Sequence, residues 1–345
     1  MRAQLWRQSP GNNRRRMQAI LSVTVPFFAL VLCGWMAARR HVLPESAIPG
    51  LNSYVLYFAL PCMLFRFGST TPVLELLNPV VLGVYLCSAL LIVFFTVSMS
   101  LSDRVGMKDA AFGALVAAFP NTGFMGVPLL VALMGKAAAG PVICSILADL
   151  FFTSSLCIAL AQAAGHGAGQ GAGGGPGAAA LRALRGALSN PLPWSIALGA
   201  VFSLWQLQLP GPVQSIVDML AASATPVALF TIGAVLFRSG QHAKKNDLPT
   251  PLSDFVPVAL IKLFLHPALV LVLGLAARHL GAPLSSFELT VLTLGSALPS
   301  ASNVSLLAER YGADNGRIAR IIMSSTVLAF ATFSTAAWLF GVKTI

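Results

Sequence analysis

From Ala19 onward, apolar blocks of about 18 residues or more follow one another to the C-terminus. Each is long enough to carry a helix across about 30 Å of hydrocarbon. The pattern predicts ten spans, at 19–38, 48–67, 79–101, 110–134, 139–164, 191–208, 213–237, 255–278, 285–308 and 317–341. The alternating segments of about ten residues that mark a transmembrane β-barrel are absent. The expected class is an all-α polytopic membrane protein.

Two spans carry polar, proline-marked interruptions. Ala118–Leu130 reads AFPNTGFMGVPLL, with apolar flanks on both sides. Pro120 has no N–H and clashes with the carbonyl four residues earlier, so it breaks the helix. Gly123 and Gly126 free the backbone to turn, and Pro128 suits the first turn of a new half-helix. The ninth span repeats the device in GSALPSASNVSLLAERYG (295–312), with Pro299 followed by Ser300, Ser302, Asn303 and Ser305. Broken backbone at membrane depth is tolerated only where it is buried in protein or lines a watered cavity.

Between the fifth and sixth spans lies GHGAGQGAGGGPGAAALRALRG, which cannot build a packed core and reads as a linker. It divides the chain into a tail (1–16), five spans (17–164), the linker (165–190) and five more spans (191–345). The halves echo one another. ALPCMLFRFG (59–68) matches ATPVALFTIG (224–233) at Ala, Pro, Leu, Phe and Gly. Pro26 and Gly34 parallel Pro191 and Gly199, and AFP at 118–120 parallels ALP at 297–299. An odd number of spans per half makes the second half enter the membrane from the other side. That is an inverted five-plus-five repeat, with helices 4 and 9 broken at matching places, as in many secondary transporters.

Composition agrees with the hydropathy pattern. The chain is 56% hydrophobic and 10% charged, against about 25% charged in soluble domains. The net charge of +11 does not mark a nucleic-acid partner, because Lys and Arg sit in short loops, where they set topology. Arg39, Arg40, Arg104, Lys108, Arg182, Arg185, Arg238, Lys244, Lys245, Arg310, Arg317 and Arg320 fall on one side. Arg66, Lys136, Arg278 and Lys343 fall on the other. The first side, with the linker, is expected in the cytoplasm, and both termini outside. The arginine-rich stretch MRAQLWRQSPGNNRRR opposes this, and a start at Met17 would remove the conflict. The five cysteines lie in apolar spans without a CxxC pair and read as small buried residues, and no metal ligand set is expected.

The chemistry expected at the two breaks is recognition of an anion. A half-helix starting at mid-membrane aims unpaired N–H groups and partial positive charge at the gap. Pro120, Asn121, Thr122, Gly123, Pro299, Ser300, Ser302 and Asn303 are the expected substrate-binding set, with neutral donors and acceptors. The bland alternative is that their polar groups only satisfy freed carbonyls. Asp149 and Lys262 are the ion-coupling candidates, because ionisable residues within spans are costly. Asp149 would carry H⁺ or Na⁺, or else hydrogen-bond a neighbouring helix or Asn303. Lys262, with His266 four residues on along the same face, would pair with substrate or, the favoured reading, snorkel to the interface. Arg66, Glu309 and Arg310, at span ends, read as anchors or gates.

LNSYVLYFALPCMLFRF in the second span, FPNTGFMGVPLLVALMG in the fourth and ALPSASNVSLLAERYGAD in the ninth resemble the auxin efflux carrier family, whose bacterial branch includes proteins assigned as malonate carriers. The resemblance covers the chain from Met17 onward. It implies ten spans in two inverted repeats, crossing at Pro120 and Pro299, and elevator-like transport of small organic anions in a cytoplasmic (inner) membrane. It also implies outward termini, no cofactor beyond a coupling ion, and a homodimer through scaffold helices in lipid. Where the plant carriers have a long hydrophilic central loop, this chain has a short Gly-rich linker. The runner-up function is a passive channel, although no ring of charges or repeated filter segment is present. An enzyme would need a nucleophile and base, or a metal set, within the spans.

Overall fold

A computed structural model of the chain describes residues 10–72, 76, 78–163, 185, 188–245 and 251–342. Most of the expected tail and linker lies outside the described residues. Among the described residues the protein is all-helical, with no strand beyond one isolated bridge. Seven helices are long and apolar enough to cross a membrane. They are α1 (Pro10–Arg39), α2 (Glu45–Thr70), α3 (Pro79–Ser100), α6 (Lys136–Gln162), α8 (Gly211–Lys245), α9 (Leu252–His279) and α12 (Asn315–Leu339). The remaining helices are shorter: α4 (Met107–Ala118), α5 (Thr122–Met134), α7 (Pro191–Leu204), α10 (Ser286–Ser296) and α11 (Val304–Arg310). The seven long helices fall on the first, second, third, fifth, seventh, eighth and tenth expected spans. The fourth and ninth fall on the interrupted pairs α4/α5 and α10/α11.

Bulky apolar side chains stand on the outside, among them Leu32, Phe94, Phe95, Leu198, Phe264 and Val327. A helix that is apolar all round belongs in a large core or in lipid, and this surface makes the chain a multi-pass membrane protein. Two cysteines share it: Cys33 and Cys87 are exposed, whereas Cys144 and Cys157 are buried. The expectation that all five are buried therefore fails for those two, because an apolar span has a lipid face as well as a core face.

Glycines set the closest helix crossings. A Cβ on Gly34 would collide with the Phe230 backbone, and one on Gly233 with the Val31 backbone, so α1 and α8 touch main chain to main chain. Gly68 and Gly199 do the same for α2 and α7. Small residues let transmembrane helices approach this closely, and van der Waals contact there replaces the hydrophobic drive that lipid does not provide. Around α4 the packing is densest, with every residue from Ala110 to Ala118 buried.

Some helix starts are capped by side chains, among them those of Asn78, Asn190, Ser285 and Asp314. Asn78 accepts from the Val80 and Val81 amides at the start of α3 and donates through Nδ2 to Glu288 at 2.9 Å. Glu288 is the third residue of α10 and closes a capping box with Ser285. At another end, Arg317 is buried and donates to the Asp109 carbonyl (2.8 Å), the Asp254 carbonyl (2.8 Å) and Ser100 Oγ (3.3 Å). That one guanidinium joins the termini of α3, α4, α9 and α12. Gly113 makes room for it, since a Cβ there would lie 2.6 Å from Nη1.

Candidate functional site

The two interruptions meet inside the protein. α4 stops at Ala118, and Phe119 and Asn121 leave helical geometry before α5 begins at Thr122. α10 stops at Ser296, and residues 297–303 run without regular helix to α11. Pro120 and Ser300 then face each other in an antiparallel bridge. The Asn121 amide donates to the Pro299 carbonyl (2.8 Å), and the Ala301 amide to the Phe119 carbonyl (3.0 Å). Each break supplies the hydrogen bonds the other lost, which is how the chain satisfies backbone where no water is at hand.

The predicted polar residues divide at this crossing. Ser300 Oγ donates to the Val116 carbonyl at 2.7 Å, and its amide donates to Ser325 Oγ at 3.2 Å. Thr122 returns both amide and hydroxyl to the Pro120 carbonyl, at 2.8 and 3.4 Å. The Ser302 carbonyl accepts from the Ser305 amide and hydroxyl. Ser300 and Thr122 thus spend their hydroxyls on freed carbonyls. Asn121 and Asn303 do not: the side-chain oxygen of each is buried and has no partner among the described residues. An asparagine amide rotates by half a turn to present its NH₂ instead. Beside them, the Cβ direction of Gly123 meets nothing within 4 Å, whereas a Cβ on Gly126 would lie 2.8 Å from Leu298 Cδ1. Neither glycine uses the left-handed region. The expectation of free turning is corrected: a Cβ on Gly126 would press on the Leu298 side chain, and Thr122–Gly126 winds as a single wide π turn.

Asp149 and Lys262 lie in the same kind of turn, Asp149–Thr153 and Ile261–Leu265. Such π turns recur at functional sites. Both residues are fully buried. Tyr85 Oη donates to Asp149 Oδ2 at 2.7 Å, and Thr153 Oγ1 donates to Oδ1 at 3.0 Å. The predicted alternative partner, Asn303, takes no part. Lys262 does not snorkel. Its Nζ donates to the Ser296 carbonyl at 2.7 Å and lies 3.2 Å from His266 Nδ1. The reason is positional: Ser296 is the last residue of α10, and a cation at a helix C-terminus meets the negative end of the dipole. Where Lys262 is an ammonium, which only donates, Nδ1 accepts and the ring proton sits on Nε2; Nε2 is buried without a partner among the described residues. The His266 ring lies 5.8 Å from that of Tyr85. Asp149, Tyr85, His266 and Lys262 therefore form one buried polar cluster that ends on α10, four residues before the crossing.

Sequence reasoning missed Tyr85, and read Arg317 only as a topology charge. Tyr85 has no signal of its own in an apolar run. Arg317 had one, three residues after the N-cap Asp314 and flanked by further charge. Arg66, expected to anchor or gate, forms an exposed ion pair with Asp218 at 3.6 Å.

A family model described as "Membrane transport protein" matches residues 19–169 and 178–339. The chain belongs to this family, that of the auxin efflux carriers. A Rhizobium meliloti protein named "Putative malonate transporter" is 29% identical over 318 residues, 92% of this chain and 94% of its own length. An "Uncharacterized transporter" of Methanothermobacter thermautotrophicus is 25% identical over 318 residues, 91% of this chain and 95% of its own length. The Escherichia coli "Uncharacterized transporter YfdV" is 24% identical over 297 residues, 83% of this chain and 87% of its own length. The family makes the chain a membrane transporter.

Proposed function

We propose that this family member is a secondary transporter of a small organic anion, a mono- or dicarboxylate of malonate type, bound where α4/α5 crosses α10/α11. The observation that carries the reading is the distribution of partners at the crossing. The carbonyls of Val116, Phe119, Pro120, Ser296 and Pro299 each already accept a hydrogen bond from the protein. A bare cation needs about six oxygens, and the side-chain oxygens of Asn121 and Asn303 are two that stand there without a partner among the described residues. What remains is two neutral amides, Asn121 and Asn303, the space beside Gly123, and the Gly123 and Phe124 amides near the start of α5, since the Thr122 amide is spent on the Pro120 carbonyl and those of Met125 and Gly126 on the Asn121 carbonyl. That set suits a carboxylate.

The transport cycle follows from the halves. Ten spans in two inverted five-helix repeats are supported by the glycine contacts. Gly34 matches Gly199 in sequence, and Gly68 matches Gly233. The α1–α8 crossing at Gly34 and Gly233 is thereby the counterpart of the α7–α2 crossing at Gly199 and Gly68. These four helices make a scaffold, the broken helices ride in the other part, and alternating access is their relative movement. Asp149 and Lys262 hold the coupling ion, H⁺ or Na⁺, and the charge bias of the loops places the linker in the cytoplasm and the termini outside.

The test is ligand-induced thermal stabilisation of detergent-purified protein. The panel is small carboxylates, malonate and indole-3-acetate included, at two pH values with and without Na⁺. A ligand that binds only the folded state raises Tm by mass action. Stabilisation by a carboxylate, lost in Asn121→Ala, is the expected result. A folded protein that responds to no carboxylate overturns the anion reading. Saturable counter-flow in proteoliposomes separates a carrier from a channel.

A further inference from the structure

Asp149 lies fully buried in the π turn of α6. The titratable groups coupled to it are Tyr85 on α3, Cys157 on its own helix and Lys262 on α9, and His266 on α9 is coupled in turn to Lys262. Both carboxylate oxygens are engaged, Oδ2 by Tyr85 Oη at 2.7 Å and Oδ1 by Thr153 Oγ1 at 3.0 Å. A hard cation such as Na⁺ asks for about six oxygens. Here it would meet one carboxylate and two hydroxyls whose protons already point at that carboxylate. It would also share the cluster with Lys262, a tethered cation whenever it is protonated. Lys262 Nζ is lodged much as a metal ion would be, 2.7 Å from the Ser296 carbonyl at the negative end of α10.

A proton needs no coordination shell. It needs an acceptor for the O–H that it makes, and Thr153 supplies one. Thr153 is fully buried and stands four residues after Asp149 on the same helix. A hydroxyl both donates and accepts, and it rotates. In a helix a threonine hydroxyl can also turn back to the carbonyl of residue i−4, which here is that of Asp149 itself. With Asp149 ionised, Thr153 donates to Oδ1. With Asp149 protonated on Oδ1, the new O–H donates to Thr153 Oγ1, and the threonine proton turns to the Asp149 main-chain carbonyl. Tyr85 donates to Oδ2 in both states. The exchange needs only a hydroxyl rotation.

We propose that Asp149 takes up and releases one proton in each transport cycle, that Thr153 accepts the O–H of its acid form, and that the site does not take sodium. The step is Asp149–COO⁻ + H⁺ → Asp149–COOH. The proton comes from water on the side to which the carrier is open and returns to water on the other. Lys262 keeps its own protons, so the charge of the cluster changes by one. This rests on the carrier reading proposed above and goes beyond it by choosing the ion and by giving Thr153 a part.

Infrared difference spectra of the detergent-purified full chain, between alkaline and acidic buffer, follow the step without any substrate. A buried carboxylic acid gives a C=O band apart from the amide bands, and that band moves when its hydrogen bonds change. Wild type should gain the band on acidification, equally in Na⁺ and in choline buffer, and Asp149→Asn should lose it. Thr153→Val keeps the shape but removes the acceptor, so the band should move to higher frequency, and Thr153→Ser should restore it. The Na⁺ comparison and the Thr153 pair do not depend on Asp149→Asn folding. A band suppressed by Na⁺, a spectrum with no band that Asp149→Asn removes, or a band unmoved by Thr153→Val each overturns the proposal. In proteoliposomes, malonate uptake should follow an imposed pH gradient and ignore a Na⁺ gradient, and the reverse also overturns it. Malonate stabilisation of the same samples reports on the crossing separately. The band without stabilisation keeps the proton site and sinks the substrate class, and stabilisation without the band does the opposite.

Discussion

Tyr85→Phe isolates the bond that holds the deepest carboxylate. Tyr85 is fully buried, and its hydroxyl donates to Asp149 Oδ2 at 2.7 Å. Phenylalanine keeps the ring, its packing and its contact with His266, so the cavity cost is that of one oxygen. The loss is the hydrogen bond. With Asp149 ionised, the bond contributes about 1.5–3 kcal/mol, and a buried acceptor left short costs a similar amount. Thr153 still donates to the other oxygen at 3.0 Å, which keeps the expected loss near the lower end, about 2 kcal/mol. Equilibrium unfolding in SDS-containing mixed micelles measures it. A cycle with Asp149→Asn then tests the partner. The asparagine still accepts a neutral bond from Tyr85, so the coupling energy should be only the charge-assisted excess, about 1 kcal/mol. A Tyr85→Phe variant within 0.5 kcal/mol of the parent, or a cycle with no coupling, refutes the assignment of Tyr85 as the group that fixes Asp149.

Asn121→Ala and Asn303→Ala should each reduce carboxylate uptake into proteoliposomes at least tenfold, with unchanged yield of monodisperse protein; wild-type uptake in either removes that residue from the site. Asp149→Asn should abolish any dependence of uptake on pH or Na⁺, and unchanged ion dependence takes Asp149 out of the coupling role. Lys262→Met keeps the volume but strands the Ser296 carbonyl, so stability should fall by about 1–3 kcal/mol; no change in the unfolding midpoint would mean that the lysine does reach the interface. Gly233→Leu drives a side chain into the α1 backbone and should cost about 3 kcal/mol, while Gly240→Leu, which meets open space, should stay within about 0.5 kcal/mol; equal effects in the two would contradict the α1–α8 contact.

Local chemistry was the part of this protein legible in sequence. Proline removes a donor wherever it stands, so Pro120 and Pro299 announced both breaks. Hydropathy announced the long spans because lipid asks only for length and apolarity. The partners of the deep charges were not legible. Lys262 reads as a snorkelling residue, two turns into its span, until Ser296 is known to end a helix beside it, and that ending comes from the break in another span. Tyr85 looks like any aromatic in α3, because its value to Asp149 arises 64 residues away. Gly126 reads as a place for the chain to turn, but in the structure it lies against Leu298 on the opposite break. Each miss involves a contact between distant spans, which a periodicity argument does not address.

The separation of the polar groups has a mechanistic consequence. The crossing carries no formal charge, and its freed carbonyls are satisfied within the protein. The ionisable groups sit one helix away, on Asp149 and Lys262, both fully buried and with no ion pair within 4.0 Å between them. Lys262 reaches the crossing only through the Ser296 carbonyl at the end of α10. In this arrangement a change of charge in the cluster alters the hold of Lys262 on the end of α10, which is the segment that leads into Pro299 and Ser300. Coupling between ion and anion then needs only that α10 end to have two positions, one for each charge state of the cluster.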